Sequence, residues 1–182
     1  MTPRNRKRLG LLLLISLFLA PLGAAIVLNA IGWRPAGMRN YGELVEPPRA
    51  LKDARFVLAE GKPLEWEDAD WSWTMFVLTG PGCADACLAR IDELRRARLS
   101  LAQNARRVRV VVLDQALLAD ALAAMAPVMA ARDADGALAS MRPAAGEVAV
   151  AMADPHGFLA IHYPAGYDAS RLRKDLVRLV KR

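Results

Sequence analysis

The stretch TMFVLTGPGCADACLARIDEL, residues 74–94, decides the fold of this chain. Its first six residues form a continuous apolar run that is short enough to be a buried β-strand. The GPG sequence then breaks the run, and a helix is predicted to begin near Cys83. One face of that helix would carry Cys87, Ile91 and Leu94. A buried strand, a glycine turn and a helix together indicate the start of an α/β unit.

The same alternation continues along the rest of the chain. In order, the pattern predicts a strand at 107–114, a helix at 115–126, a weaker strand at 127–132, a short helical stretch at 135–141, strands at 147–154 and 158–164, and a final basic amphipathic helix. The sequence DPHG at 154–157 is typical of a tight turn between two antiparallel strands. Right-handed crossovers make the first three strands parallel. We therefore predict an α/β fold, a thioredoxin-like mixed sheet flanked by helices, with the cysteines just after a central strand.

The N-terminal region differs in character from the rest. Residues 1–8, MTPRNRKR, are cationic, and no charged residue follows between Leu9 and Ile31. As a helix, this apolar run would be roughly 34 Å long, enough to cross a hydrocarbon core of about 30 Å. Positive charge before the run favours an N-terminus in the cytoplasm and a domain in the periplasm, held by a single pass through the inner membrane. A cleaved signal peptide is the alternative, although the apolar run continues past its small-residue cleavage site.

These features divide the chain into four parts. Residues 1–8 form a cytoplasmic basic N-terminus, 9–32 a transmembrane anchor, 33–52 a linker, and 53–182 the thioredoxin-like domain. The linker is predicted because residues 33–52 contain three prolines and show weak periodicity. The domain would open with a short hairpin within residues 55–66.

The net charge excludes one class of function. The formal charge of the chain is +6, but four of its basic residues precede the apolar run. The remainder carries 21 basic and 19 acidic side chains, too small an excess for a phosphate-binding surface. We therefore expect no nucleic-acid partner. No glycine-rich phosphate loop appears, so we expect no nucleotide or flavin cofactor.

The two cysteines, Cys83 and Cys87, are four positions apart and would lie on one face of a helix about 5–6 Å from each other. This separation permits a disulfide or shared coordination of a metal ion. The partial positive charge at a helix N-terminus favours thiolate, which is both the attacking species in disulfide exchange and the metal-binding form. Three interpretations follow: a structural disulfide, a redox pair, or two soft ligands for Cu(I).

The motif C-A-D-A-C at 83–87 resembles the C-P-D-V-C core of the Sco/SenC family. The likeness extends to the single apolar N-terminal segment, to NYGEL at 40–44 and to the D-P-x-G turn at 154–157. Proteins of that family are membrane-anchored, have a thioredoxin fold and help to build the copper centre of cytochrome c oxidase. The resemblance implies that Cys83 and Cys87 act on thiols or hold Cu(I), and that the partner is oxidase subunit II or a periplasmic copper chaperone.

One expected copper ligand is missing. In the Sco family the third ligand is a histidine about eight residues before the D-P-x-G turn, but that position is Gly146 here, with Glu147 beside it. His156 lies in the turn itself and is interpreted as a turn residue. His162 is the remaining candidate, because symmetric pairing about the turn would place it opposite Ala149, towards the cysteines.

The sequence therefore predicts an exported, membrane-anchored protein that acts in oxidase assembly as a thiol–disulfide reductant, as a transient Cu(I) carrier, or as both. Cys83, at the exposed helix start, would attack, and Cys87 would resolve the mixed disulfide. The alternative hypothesis is a non-catalytic assembly or docking factor in which the cysteines form a structural disulfide. The sequence alone leaves open whether the chain is an enzyme.

Overall fold

A computed structural model describes residues 3–32, 40–114, 121 and 124–181 of the chain. Its first element is a long helix, α1 (Pro3–Ala30), which contains Pro21. Within α1, Leu12–Ala30 is long and apolar enough to cross a membrane. This is the apolar helix that the sequence predicts as a candidate membrane anchor. Residues 1–39 and 40–182 form separate compact units, and the second unit holds the remaining elements.

The second unit is built on a seven-stranded sheet. In chain order its elements are β1 (Glu43–Ala50), β2 (Phe56–Leu58), β3 (Trp73–Thr79), α2 (Asp85–Leu99), β4 (Val108–Leu113), β5 (Val128–Asp133), β6 (Val148–Ala153), β7 (Phe158–Tyr163) and α3 (Ala169–Leu179). Short 3₁₀ helices occur at Ala102–Arg107 and Ala139–Met141.

The sheet is mixed, with strand order β1-β7-β6-β3-β4-β5-β2. β3 and β4 are parallel, as are β4 and β5, which confirms the predicted parallel pairing of these three strands. β6 is antiparallel to both β3 and β7, so the turn at 154–157 joins a hairpin as predicted. β3 lies in the centre of the sheet, and the segment that carries the cysteines begins where β3 ends.

Each face of the sheet has its own hydrophobic core. On the first face, α2 and α3 pack against inward-facing residues such as Val77, Val110 and Val150. On the second face, the neighbouring residues of the same strands, such as Phe76, Val111 and Ala151, pack against segments near residues 51–64 and Leu138. Central strands buried on both faces explain the continuous apolar runs in the sequence.

The structure corrects three boundaries. The region predicted as a linker, 33–52, contains β1, which pairs with β7 as an edge strand. The predicted hairpin at 55–66 is present but short: its first arm is β2, which also pairs with β5, and its return arm forms one antiparallel bridge, between Val57 and Pro63. The helical stretch expected at 135–141 is a 3₁₀ turn at its end. The helix predicted at 115–126 lies mostly outside the described residues.

Candidate functional site

The structure brings the two predicted site cysteines together at the start of α2. β3 ends at Thr79, and a turn through Gly80 and Gly82 leads to Cys83, two residues before α2 begins. Gly82 has a φ of +68°, a conformation that favours glycine. Cys83 and Cys87 are joined by a disulfide, with 5.5 Å between their Cα atoms. The predicted position of the pair, just after a central strand, is the observed one.

The two sulfurs differ in their access to solvent. Cys87 is 1% exposed and lies in the core between the sheet and α2. Cys83 is half-buried, and the residues on either side of it, Gly82 and Ala84, are exposed. Ala84, at the N-cap of α2, has no side-chain hydrogen bond to the first turn of the helix. A helix start of this kind favours thiolate, and Cys83 is the more exposed cysteine of the pair.

A second loop, residues 143–147, lies against the cysteine turn through backbone contacts. The Gly80 N–H donates to the carbonyl of Glu147 at 2.9 Å, and the Gly146 N–H donates to the carbonyl of Pro81 at 2.8 Å. The approach is so close that a Cβ on Gly80 would lie 1.8 Å from the carbonyl oxygen of Ala144. Gly80 is therefore required for these two loops to meet.

Gly146 lies beside the cysteines, at the position where the resemblance places a copper-ligating histidine. Its carbonyl oxygen is 3.7 Å from Sγ of Cys87. When the pair is reduced, the Cys87 thiol can donate a weak hydrogen bond to this carbonyl. Gly146 has a φ of +73°, and a Cβ built on it meets no atom within 4 Å. The predicted ligand position is thus next to the sulfurs, but it offers a peptide carbonyl in place of an imidazole.

His162 does not join the cysteines, which corrects its assignment as a third ligand. It pairs with Ala151 and not with Ala149, because the pairing next to the turn is offset by one residue, Ala153 with Leu159, and the register shifts by one more between Met152 and Ala153. Ala149 and Ala151 both belong to the second face of the sheet, whereas Cys87 belongs to the first. Side chains of paired residues share a face, so His162 and Cys87 lie on opposite sides of the sheet.

His162 lies where β7 pairs with β1, opposite Glu43. Its Nδ1 lies 3.9 Å from a carboxylate oxygen of Glu43, and within the described part of the chain its buried Nε2 has no hydrogen-bond partner. Burial lowers the pKa of His162, and the Glu43 charge opposes this effect. His156 lies in the 154–157 turn as predicted, with Nδ1 2.9 Å from Oε1 of Glu67.

The residues present do not provide a three-ligand copper site. Among the described residues, no group of three or more His, Cys, Asp or Glu side chains is arranged to hold a metal ion. Reduced Cys83 and Cys87 would offer two thiolates, which are soft ligands, with only the Gly146 carbonyl beside them. The arrangement is therefore better suited to disulfide exchange than to tight metal binding.

A family model described as "Transmembrane-like, thioredoxin-like, C-terminal domain" matches residues 73–182, more than half of the chain and all elements from β3 to α3. The chain belongs to this family. The match confirms the predicted thioredoxin-like fold, and the matched residues include Cys83 and Cys87. A comparison with curated proteins finds no match.

Solved structures with the same fold include copper-binding and redox proteins. Arabidopsis thaliana ScoI with copper bound aligns over 77% of this chain and 98% of its own, with a TM-score of 0.51 and 14% identity. Yeast Sco1 aligns over 77% and 97%, with a TM-score of 0.54 and 14% identity. A Chlorobium tepidum protein described as a thiol:disulfide interchange protein DsbE aligns over 75% of this chain and 99% of its own, with a TM-score of 0.53 and 13% identity. At such identities the likeness establishes the fold alone.

Sequence reasoning missed one buried charged group near this end of the sheet. Asp175, in the basic helix α3, is 2% exposed. Its Oδ2 accepts hydrogen bonds from the backbone N–H groups of Tyr41 and Gly42, at 2.7 and 3.2 Å, and from the Tyr163 hydroxyl at 2.9 Å. Burial, together with this bond, raises the pKa of Tyr163. Asp175 thus connects α3 to the residues just before β1 through hydrogen bonds. In the sequence it stands among basic residues, and that pattern does not predict this role.

Proposed function

We propose that this protein is a membrane-anchored thiol–disulfide reductant that acts on the copper-site cysteines of cytochrome c oxidase subunit II during oxidase assembly. The observation that carries the proposal is the unequal exposure of a bonded cysteine pair at a helix start. Cys83 is half-buried and can be approached, whereas Cys87 is buried behind it. An attacking and a resolving sulfur need this arrangement, whereas a purely structural bond does not.

The exchange proceeds in two balanced steps. The Cys83 thiolate attacks one sulfur of the partner's disulfide, which forms a mixed disulfide and releases the other partner sulfur as thiolate. The Cys87 thiolate then attacks Sγ of Cys83, closes the Cys83–Cys87 disulfide and releases the second partner thiolate. The partner gains two electrons and this chain loses two. A reduced dithiol protein must afterwards return two electrons to the pair.

The assignment to oxidase assembly is supported by the C-A-D-A-C motif, the N-terminal apolar helix and the fold shared with Sco1 and ScoI. We propose that the domain lies in the periplasm, with the N-terminus in the cytoplasm, because the basic residues precede the apolar run. The substrate is then a protein at the same membrane surface, either oxidase subunit II or a copper chaperone that supplies it.

Copper has a minor part in this proposal. The fold is shared with ScoI structures that contain copper, and reduced Cys83 and Cys87 are ligands of the type that Cu(I) prefers. Since Gly146 offers no imidazole, we propose that any Cu(I) is held transiently by the two sulfurs alone. His162 has no part in this site, because it lies on the other face of the sheet.

The decisive experiment traps the mixed disulfide. Full-length Cys87→Ser and Cys83→Ser proteins are each mixed, after reduction, with a subunit II domain whose copper-site cysteines are oxidised. We expect Cys87→Ser to accumulate a covalent adduct through Cys83, and Cys83→Ser, whose remaining thiol is buried, to accumulate none. Equal adducts with both variants would contradict the assigned roles.

A second substrate distinguishes an error in the proposed partner from an error in the proposed disulfide exchange. If Cys87→Ser forms an adduct with a small aromatic disulfide but not with subunit II, the redox chemistry holds and the proposed substrate is wrong. If it reacts with neither, the disulfide is structural and the domain serves as a non-catalytic docking factor. In that case, a Cys83→Ser, Cys87→Ser double variant would still support oxidase assembly in cells.

A further inference from the structure

Basic charge is concentrated on one element of the second unit. Residues 33–168 carry 15 basic and 18 acidic side chains, whereas residues 169–182 carry six basic and one acidic. The acidic residue of this segment, Asp175, is buried. The exposed side of α3 and the residue that follows it is therefore strongly cationic, and its described members are Arg171, Arg173, Lys174, Arg178 and Lys181. We call these five residues the basic face.

The basic face surrounds one aromatic ring. Tyr41, which is 48% exposed, has its ring centre 5.5 Å from the Arg171 guanidinium, 5.8 Å from the Lys174 ammonium and 5.5 Å from the Arg178 guanidinium. Each of these distances permits a cation–π contact. Two of the three cations also contact carboxylates: Arg171 lies 3.5 Å from Asp168, and Arg178 donates to Asp175 at 3.1 Å. The charge available to an external anion is therefore mainly that of Lys174, together with Arg173 and Lys181 on the same helix side.

A hollow beside the ring does not account for this charge. It has a volume of about 300 Å³, and its walls include Arg171 together with Glu43 and Asp168. The two carboxylates disfavour an anion inside the hollow. The basic face itself, which points to solvent, is the surface that an anion can reach.

The position of Tyr41 in the chain, close to the apolar helix α1, indicates that the anion is a lipid headgroup. Only residues 33–39 separate Gly32, next to the apolar helix α1, from Asn40. Seven residues reach at most about 25 Å when fully extended. This short segment tethers the second unit to any membrane that α1 crosses. Tyrosine among lysines and arginines is also typical of membrane–water interfaces.

We propose that the basic face and Tyr41 form a docking surface for anionic phospholipid headgroups. Phosphate groups of the lipid would bind the cations of α3, and Tyr41 would lie at headgroup depth. β1 begins beside Tyr41 and pairs with the C-terminal part of β7. β7 finishes at the same end of the sheet as β3, where Gly80 and the cysteine turn follow. Docking would therefore hold the cysteine end of the domain near the membrane surface.

The test uses the full-length chain in nanodiscs of phosphatidylcholine, with and without phosphatidylglycerol. Tyr41→p-benzoylphenylalanine places a photoreactive ring in the basic face, and the yield of lipid-linked protein is read by intact mass. Trp71→p-benzoylphenylalanine is the matched control, since Trp71 is 49% exposed but precedes β3 at the other end of the sheet. We expect a several-fold higher lipid yield at Tyr41 when phosphatidylglycerol is present, and no such dependence at Trp71.

Charge variants distinguish docking from simple proximity. With phosphatidylglycerol present, Arg173→Gln, Lys174→Gln and Lys181→Gln together should lower the Tyr41 yield at least about fivefold, because each basic residue near an anionic surface has an effect of that order. The control changes Arg49→Gln, Lys52→Gln and Arg132→Gln, exposed residues elsewhere on the domain, and should have little effect. A Tyr41 yield that is independent of phosphatidylglycerol, or lowered equally by both triple variants, would overturn the proposal.

Discussion

The two ends of the sheet are built in different ways. At the cysteine end, residues 80–82 and 143–147 meet through backbone hydrogen bonds, and Ala144–Glu147 are exposed. At the opposite end, side chains fill the space: the Trp66 ring lies beside Gly157 of the 154–157 turn and packs inwards on Phe56 and Phe76, with ring centres 6.3 and 6.2 Å apart. The Arg109 guanidinium there donates to Thr74 Oγ1 at 2.8 Å. The difference indicates that large side chains provide stability in one part of the domain, whereas small residues at the cysteine end leave Cys83 partly exposed.

The largest effect is expected from the aromatic cluster on which Trp66 packs. Phe76 is fully buried on the second face of the sheet and stacks on Phe56, with ring centres 4.7 Å apart. Phe76→Ala should lower the free energy of unfolding by about 3–5 kcal/mol, because it removes a buried ring and leaves a cavity. Denaturant unfolding of the full-length chain in detergent measures this loss. Below the unfolding transition, the rate at which Cys83 reacts with a small disulfide should be unchanged, and a coupled change in rate would contradict this difference between the two parts of the domain.

A glycine pair tests how the cysteine end is held. Gly80→Ala should cost about 1–3 kcal/mol, because its Cβ would strike the backbone carbonyl of Ala144 and push the two loops apart. The Cys83 exchange rate should change with it. Gly82→Ala is the matched control: it meets no atom within 4 Å, and its cost of about 1–2 kcal/mol comes from its positive φ alone. Equal exchange rates in wild type and Gly80→Ala would show that the 143–147 loop does not shape the site.

Copper binding tests the cysteine end further, because the two sulfurs there have no third side-chain ligand beside them. Gly146→His adds an imidazole to the residue whose carbonyl lies 3.7 Å from Cys87 Sγ, and a Cβ there meets no atom within 4 Å, although the φ of +73° adds some backbone strain. We expect the Cu(I) affinity of the reduced chain to rise at least about tenfold, since a third soft ligand completes a trigonal site. His162→Ala should leave the affinity unchanged. Competitive titration with a Cu(I) chelator under anaerobic conditions measures both, and a loss of affinity in His162→Ala would refute the placement of that residue.

The smallest effect concerns the pH dependence of stability. Burial lowers the pKa of His162 in the folded protein below the value of about 6.5 that it has when unfolded. Between these two values the unfolded chain binds more protons, so His162 should reduce stability as the pH falls below about 6.5. His162→Gln should flatten this part of the curve of unfolding free energy against pH. An unchanged slope would show that the folded protein tolerates a charged His162.

Much of the fold could be predicted from sequence because its central strands are buried on both faces. β4 and β6 are continuous apolar runs, and the turn at 154–157 has an unambiguous sequence. β1 was missed because it is an exposed edge strand that contains Pro47 and Pro48, which such a strand tolerates.

The candidate site was predictable only in part. The cysteines were found because their spacing and their place after a central strand are local features. Pairing with Ala151 puts His162 on the second face of the sheet, and the predicted pairing with Ala149 would have done the same. The prediction failed because it considered which end of the sheet His162 approaches and not the face on which Cys87 lies. The contact between Gly80 and the 143–147 loop joins segments far apart in the chain, and no local pattern predicts it.

The reduction potential of the Cys83–Cys87 pair tests the central claim most directly. The full-length chain would be equilibrated in defined dithiol–disulfide buffers, and the fraction reduced would be read by thiol alkylation and mass. Because Cys83 is partly exposed at a helix start, we predict a potential between about −120 and −270 mV, the range of redox-active pairs. A potential below about −300 mV would mean that the bond resists reduction by cellular thiols. The pair would then be a structural disulfide, and the proposed exchange chemistry would be wrong.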